Sequence, residues 1–170
     1  VIKELYEAGA RTIQLDDCTW GTIVSENPEG IATKDQLNSE DKEEAEKAQT
    51  REKLKELYIT VNNLALEGAP EDLVINTHVC RGNYHSDWAT EGAYNEVATP
   101  LFDRGNYQAY FLEYDTDRAG GFEPLAHISD DKVVVLGLVT SKDGVLEDRQ
   151  TLIDRIHEAA EYVPLDRLCL

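Results

Sequence analysis

Short apolar segments recur five times along this chain of 170 residues, four of them running into polar residues, and that recurrence limits the fold more than any other feature. They are RTIQLDD at 11–17, LVINTHVC at 73–80, QAYFLEY at 108–114, KVVVLGLV at 132–139 and RLCL at 167–170, each no longer than one strand. KVVVLGLV is β-branched and uninterrupted, as expected of a strand buried on both faces. Helical spacing lies between these segments. Residues 1–8 place Val1, Ile2, Leu5 and Ala8 at helical intervals and stop at Gly9. Residues 39–67 open on a highly charged run and then align Leu54, Leu57, Tyr58, Val61 and Leu64 on one face, with Gly68 and Pro70 as the stop. Shorter helical pieces are expected at 95–103, weakened by Pro100, and at 123–128. Residues 145–163 bring Leu152, Ile153, Ile156, Ala160 and Val163 to one side ahead of Pro164. The stretch 18–38 is rich in Gly, Thr, Ser, Asn and Pro, has no period, and reads as a loop.

Alternation of strand and helix predicts an α/β fold with parallel strands, in one domain over residues 1–170. The polar residues collect at the C-terminal ends of the strands, where closed barrels and open sheets both place their chemistry. Periodicity alone fits either architecture.

Charge narrows the partners. With 34 acidic against 16 basic residues the net charge is -18, so a nucleic-acid backbone or an anionic membrane surface is repelled. No run reaches the roughly 18–20 apolar residues of a membrane span, and no basic-then-apolar leader opens the sequence, which makes a cytoplasmic location the expectation. Three cysteines in such a chain are better read as buried thiols or metal ligands than as a disulfide framework. The absence of any methionine suggests that the chain begins inside a longer gene product.

His78-x-Cys80 is the most informative pair, because residues two apart on a strand point to one side and can converge on one ion. Its bland counterpart is a core histidine beside a buried thiol. Glu113 sits at the corresponding end of the next strand, and neighbouring strands lie about 4.8 Å apart. One nitrogen, one sulfur and one carboxylate oxygen suit catalytic zinc, which keeps a position open for substrate. The alternative for Glu113 is an ion pair at the strand ends with Arg118 or Arg81.

NTHVCRGNYHSDW, AYFLEYDTDRAGGFEPL, VVVLGLVTSKDGVLEDR and VPLDRLCL, together with IQLDD, resemble successive blocks of the cobalamin-independent methionine synthase family, in particular its short, single-barrel bacterial members. The resemblance implies a TIM (β/α)8 barrel of which this chain holds about the C-terminal half, roughly strands four to eight. It implies zinc held by His78, Cys80 and Glu113, with a further cysteine beyond Leu170. Cys169 falls short of that position and reads as a core thiol, with service as a substitute ligand the alternative. Asp16 matches the family aspartate that holds the amino group of homocysteine, with Asp17 in support. Two positions depart from the family: Thr140 stands where a proton-delivering histidine is expected, and Thr22 where a glutamate contacts the folate. His85 and Asp87, just after the zinc pair, are candidates for acid–base work or substrate positioning in their place.

The implied function is zinc-dependent transfer of a methyl group, from methyltetrahydrofolate or another methylated donor, to the zinc-activated thiol of homocysteine, forming methionine. Alkyl transfer to another thiol, as in epoxyalkane:coenzyme M transferases, and a non-catalytic zinc-binding module are the alternatives. The family's substrate-carboxylate blocks lie on the first strands of the barrel, outside these 170 residues. Alone, the chain is expected to bind metal poorly and to be inactive.

Overall fold

The computed structural model describes residues 1–25 and 40–170, with the side chains of 1–25 and 48–170. Among these residues the five apolar segments become β1 (Thr12–Asp16), β2 (Val74–Val79), β3 (Ala109–Glu113), β4 (Val133–Gly137) and β5 (Leu168–Cys169), in one parallel sheet ordered as in the chain. Register carries one row of residues across the whole sheet: Asp16 pairs with His78, His78 with Phe111, Phe111 with Val135 and Val135 with Cys169. Side chains alternate along a strand, so this row shares a face with the residues two positions away.

The two faces differ. Ile75, Thr77, Val79, Tyr110, Leu112, Val134 and Leu136 are buried under the helices. On the opposite face Thr12, Gln14 and Asp16 are exposed, and Phe111, Val133 and Val135 are only half-buried. Among the described residues KVVVLGLV is therefore covered on one face and not on both, because none of their helices lies over the face that Val133 and Val135 share.

The covering layer contains α1 (Ile2–Glu7), α2 (Thr19–Val24), α3 (Glu40–Leu66) and α4 (Arg149–Ala159), with a π-helical turn at Thr99–Asp103 and 3₁₀ turns at Tyr94–Glu96 and Glu123–His127. Its core joins Trp20, Ile23, Ile59, Tyr94, Phe102 and Phe122, each at most 2% exposed. No helix of the described residues is long and apolar enough to cross a membrane.

Three helical expectations change. The segment read as a loop begins with α2, whose Trp20, Ile23 and Val24 enter the core; residues 26–38 lie outside the described residues. In α3 the inward face runs through Leu54, Tyr58, Ile59 and Leu66, whereas Leu57, Val61 and Leu64 are 52%, 52% and 56% exposed. Two apolar stripes compete on that helix, and the one carrying Ile59 also turns Asn62 and Asn63 inward, where they bond to Asp17 and to the Arg104 carbonyl. The last helix starts at Arg149 and not at 145, because the Asp148 carboxylate accepts the Thr151 N–H at 2.9 Å and caps it there. Of the expected inward residues Leu152 and Ile156 pack on the core and Val163, just beyond the helix, is fully buried, but Ala159 and not Ala160 is the fully buried alanine and Ile153 stays outside the core cluster.

Candidate metal and thiol site

β1 and β2 end in register, so the residues two places beyond Asp16 and His78 emerge side by side. These are Cys18 and Cys80, with their sulfurs 2.9 Å apart. The chain turns at once into α2, which packs so closely on β2 that a Cβ on Gly21 would stand 2.9 Å from the Cys80 carbonyl oxygen. Only glycine permits that approach. Trp20, fully buried and edge-on to Tyr58 at 5.7 Å, fixes the helix in place. The His78 imidazole completes the cluster: one donor atom from each of Cys18, His78 and Cys80 lies within 4.8 Å of the others, and all three residues are half-buried.

Each group changes the charge of the next. The Cys80 thiol is drawn down to about 4 by its hydrogen bond with Cys18, then by His78 and the Gly82 N–H, against the opposing effect of burial. Cys18 is pushed far up, first because it keeps the proton shared with Cys80 and then by burial. His78 is raised by its hydrogen bond to Cys80, with Asp16 and Glu113 adding to the effect and burial opposing it. The cluster thus centres on a Cys80 thiolate flanked by a thiol and a cation-favouring imidazole. Two sulfurs and a nitrogen form a donor set that fits zinc.

Glu113 ends β3 in the same region, 9% exposed, with both oxygens engaged. One accepts the Arg81 backbone N–H at 2.8 Å; the other accepts from Arg118 at 2.9 Å and Lys142 at 3.3 Å. Asp115 shares both cations, at 2.7 Å and 3.2 Å. Two carboxylates and two cations therefore balance one another out of water. The ion pair with Arg118 is present, while the Arg81 guanidinium turns to the Gly92 carbonyl at 2.6 Å and over the Tyr94 ring at 4.2 Å. A cavity of about 360 Å³ opens at these strand ends, lined by His78, Cys80, Phe111, Glu113, Asp115, Val135 and Lys142 among others.

The remaining candidates divide by position. Asp16 shares the His78 face, is exposed, and accepts from Gln14 at 2.8 Å. Asp17 points the other way and is tied to Asn62 of α3 and to Thr19. His85 and Asp87 belong to an exposed turn in which Tyr84 and Asp87 exchange backbone hydrogen bonds at 3.1 Å. His85 there has a φ of 54°, and the Asp87 carboxylate accepts the Trp88 N–H at 2.8 Å; neither residue lines the cavity. The Thr22 hydroxyl donates back to the Thr19 carbonyl at 2.6 Å within α2. Thr140 accepts the Lys142 N–H at 3.1 Å. Cys169 is exposed and not in the core, because β5 turns it onto the open face opposite Val135. Cys18 was not singled out as a ligand from sequence, although IQLDDC and NTHVC each end a strand with a cysteine, two places beyond paired residues.

Fold and site together define a parallel α/β protein with a thiol–imidazole cluster at the carboxyl ends of its strands. No family model matches the chain. Across 99% of its length it is 41% identical to the uncharacterized protein YxjG of Bacillus subtilis (strain 168) and 40% identical to the uncharacterized protein YxjH of the same organism, and it spans 42% of each. Among solved structures it is similar to a Listeria monocytogenes protein assigned as a vitamin-B12-independent methionine synthase. That match has a TM-score of 0.70 and 34% identity, covering 99% of this chain and 43% of that one. It also shares its fold with a B12-independent methionine synthase from Shewanella sp. W3-18-1, solved in complex with selenomethionine. Here the TM-score is 0.67 and the identity 20%, covering 98% of this chain and 42% of that one. The structural neighbours are thus B12-independent methionine synthases, in agreement with the short cobalamin-independent methionine synthase-like family recognised from the sequence blocks.

Proposed function

We propose that this chain contributes the metal-binding half of a (β/α)8-barrel S-methyltransferase, one that moves a methyl group from a methylated donor to the thiol of homocysteine and forms methionine. The observation that carries this is the convergence of the Cys80 sulfur and the His78 imidazole, at the mouth of a cavity on the face of the sheet that no described element covers. Strand order supports the barrel. Doubly wound sheets reverse their order at a switch point and carry helices on both faces, whereas this sheet runs straight through and is covered on one.

His78 and Cys80, with Glu113 as the family-implied third ligand, would hold zinc, whose chemistry when bound is to keep a substrate thiol deprotonated at neutral pH. Asp16, exposed on the same face in the row of His78, receives the substrate ammonium. Arg118 and Lys142 hold the Glu113 carboxylate at the cavity wall. His85 and Asp87, in their turn beyond the zinc pair and outside the cavity lining, would position substrate only as it approaches the site. Methyltetrahydrofolate is the donor by family default, and the enzyme works in the cytoplasm.

The test is an assay of the full-length protein with homocysteine and several methyl donors, zinc content being measured alongside. Methionine formation from a methylated folate with one zinc per chain is the expected result. Turnover only with coenzyme M or another thiol would replace homocysteine as the substrate. Stoichiometric zinc with no alkyl transfer to any thiol would reduce the site to a binding module.

A further inference from the structure

We infer that Cys18 is itself a metal ligand, a second thiolate that joins Cys80 and His78 in holding the ion. This rests on the zinc assignment above and adds to it a residue from a different strand. The two sulfurs are 2.9 Å apart, and with the imidazole all three donor atoms lie within 4.8 Å of one another. Two thiolates on one tetrahedral zinc stand about 3.8 Å apart, given Zn–S bonds of about 2.3 Å. The sulfurs therefore need to part by less than about 1 Å, which side-chain rotation supplies.

The position of Cys18 is built, not incidental. Paired strand ends carry it level with Cys80, Gly21 lets α2 approach the Cys80 carbonyl, and buried Trp20 anchors that helix behind it. Glu113, by contrast, has a backbone N–H and two cations already on its oxygens. A site of two sulfurs and one imidazole is softer than one of sulfur, nitrogen and carboxylate, and favours zinc more strongly over magnesium, calcium or manganese.

The experiment uses the full-length protein loaded with zinc or with cobalt(II), and reads metal retention against a competing chelator together with the sulfur-to-cobalt charge-transfer band. Cys18→Ala is expected to lower zinc affinity at least about tenfold and to remove one sulfur's share of the band. Cys169→Ser, on the exposed residue, is expected to change neither. Gly21→Ala keeps every donor but pushes α2 off β2, and should weaken retention in the same direction. Circular dichroism of the metal-free variants separates a lost ligand from a lost fold, and Cys18→Ser is read in the same way should Cys18→Ala not fold. Wild-type affinity with an undiminished band in Cys18→Ala would overturn the inference and leave the zinc assignment standing. So would a Cys18–Cys80 disulfide in the zinc-loaded protein. Failure of the wild-type protein to bind zinc would overturn both.

Discussion

At the scale of single residues, the proton shared by Cys18 and Cys80 sets the charge of the metal-free cluster. With Cys80 drawn down to about 4, its ionised form is present above that pH and is lost only as pH falls through it. Free cysteine, with a pKa near 8.5, gains reactivity about tenfold per pH unit below that value. In metal-free protein carrying Cys169→Ser, alkylation of Cys80 by iodoacetamide, followed by peptide mapping, should therefore be nearly level from pH 5 to 7. A tenfold rise per pH unit would contradict the thiolate. Asp16→Asn should raise KM for homocysteine about tenfold while leaving kcat within a few-fold if, as proposed, the carboxylate holds substrate and touches no reacting atom; an equal loss in kcat would place it in the chemistry. His78-x-Cys80 was legible because two residues apart on a strand is the shortest spacing that converges. Cys18 was not, since its partner is 62 positions away and only strand register brings them together.

At the scale of elements, every strand of the described residues was legible, because each is an apolar run too short for a helix and all but RLCL carry β-branched or aromatic residues. Helices were harder. α2 is six residues long in a stretch whose Thr and Gly content resembles a loop, and tertiary burial of Trp20 and Ile23 overrides that local signal. On α3 the apolar residues mark two stripes, and choosing between them needed the polar bonds of Asn62 and Asn63, which no periodicity contains. If α2 holds Cys18 in place, Trp20 is its principal anchor. Trp20→Ala should cost about 3–5 kcal/mol in urea unfolding of the full-length protein, with loss of zinc at denaturant concentrations that leave the wild type loaded. Glu56→Gln, which removes an exposed ion pair with Arg104, should leave the midpoint unchanged.

At the scale of the whole molecule, the open face and the relatives' length point the same way. Phe111, Val133 and Val135 are half-buried on a face that no described element covers, and the chain spans 42% of the curated relatives it matches. Periodicity alone fits a closed barrel and an open sheet equally; the proposed barrel rests on straight strand order and on one-sided cover by the described residues. The central claim is that a metal bound through His78 and Cys80 takes the substrate's sulfur as a ligand. X-ray absorption at the zinc edge of the full-length protein, with and without homocysteine, measures this directly. One additional sulfur is expected in the zinc shell when homocysteine is present; a shell unchanged by saturating homocysteine would contradict substrate ligation.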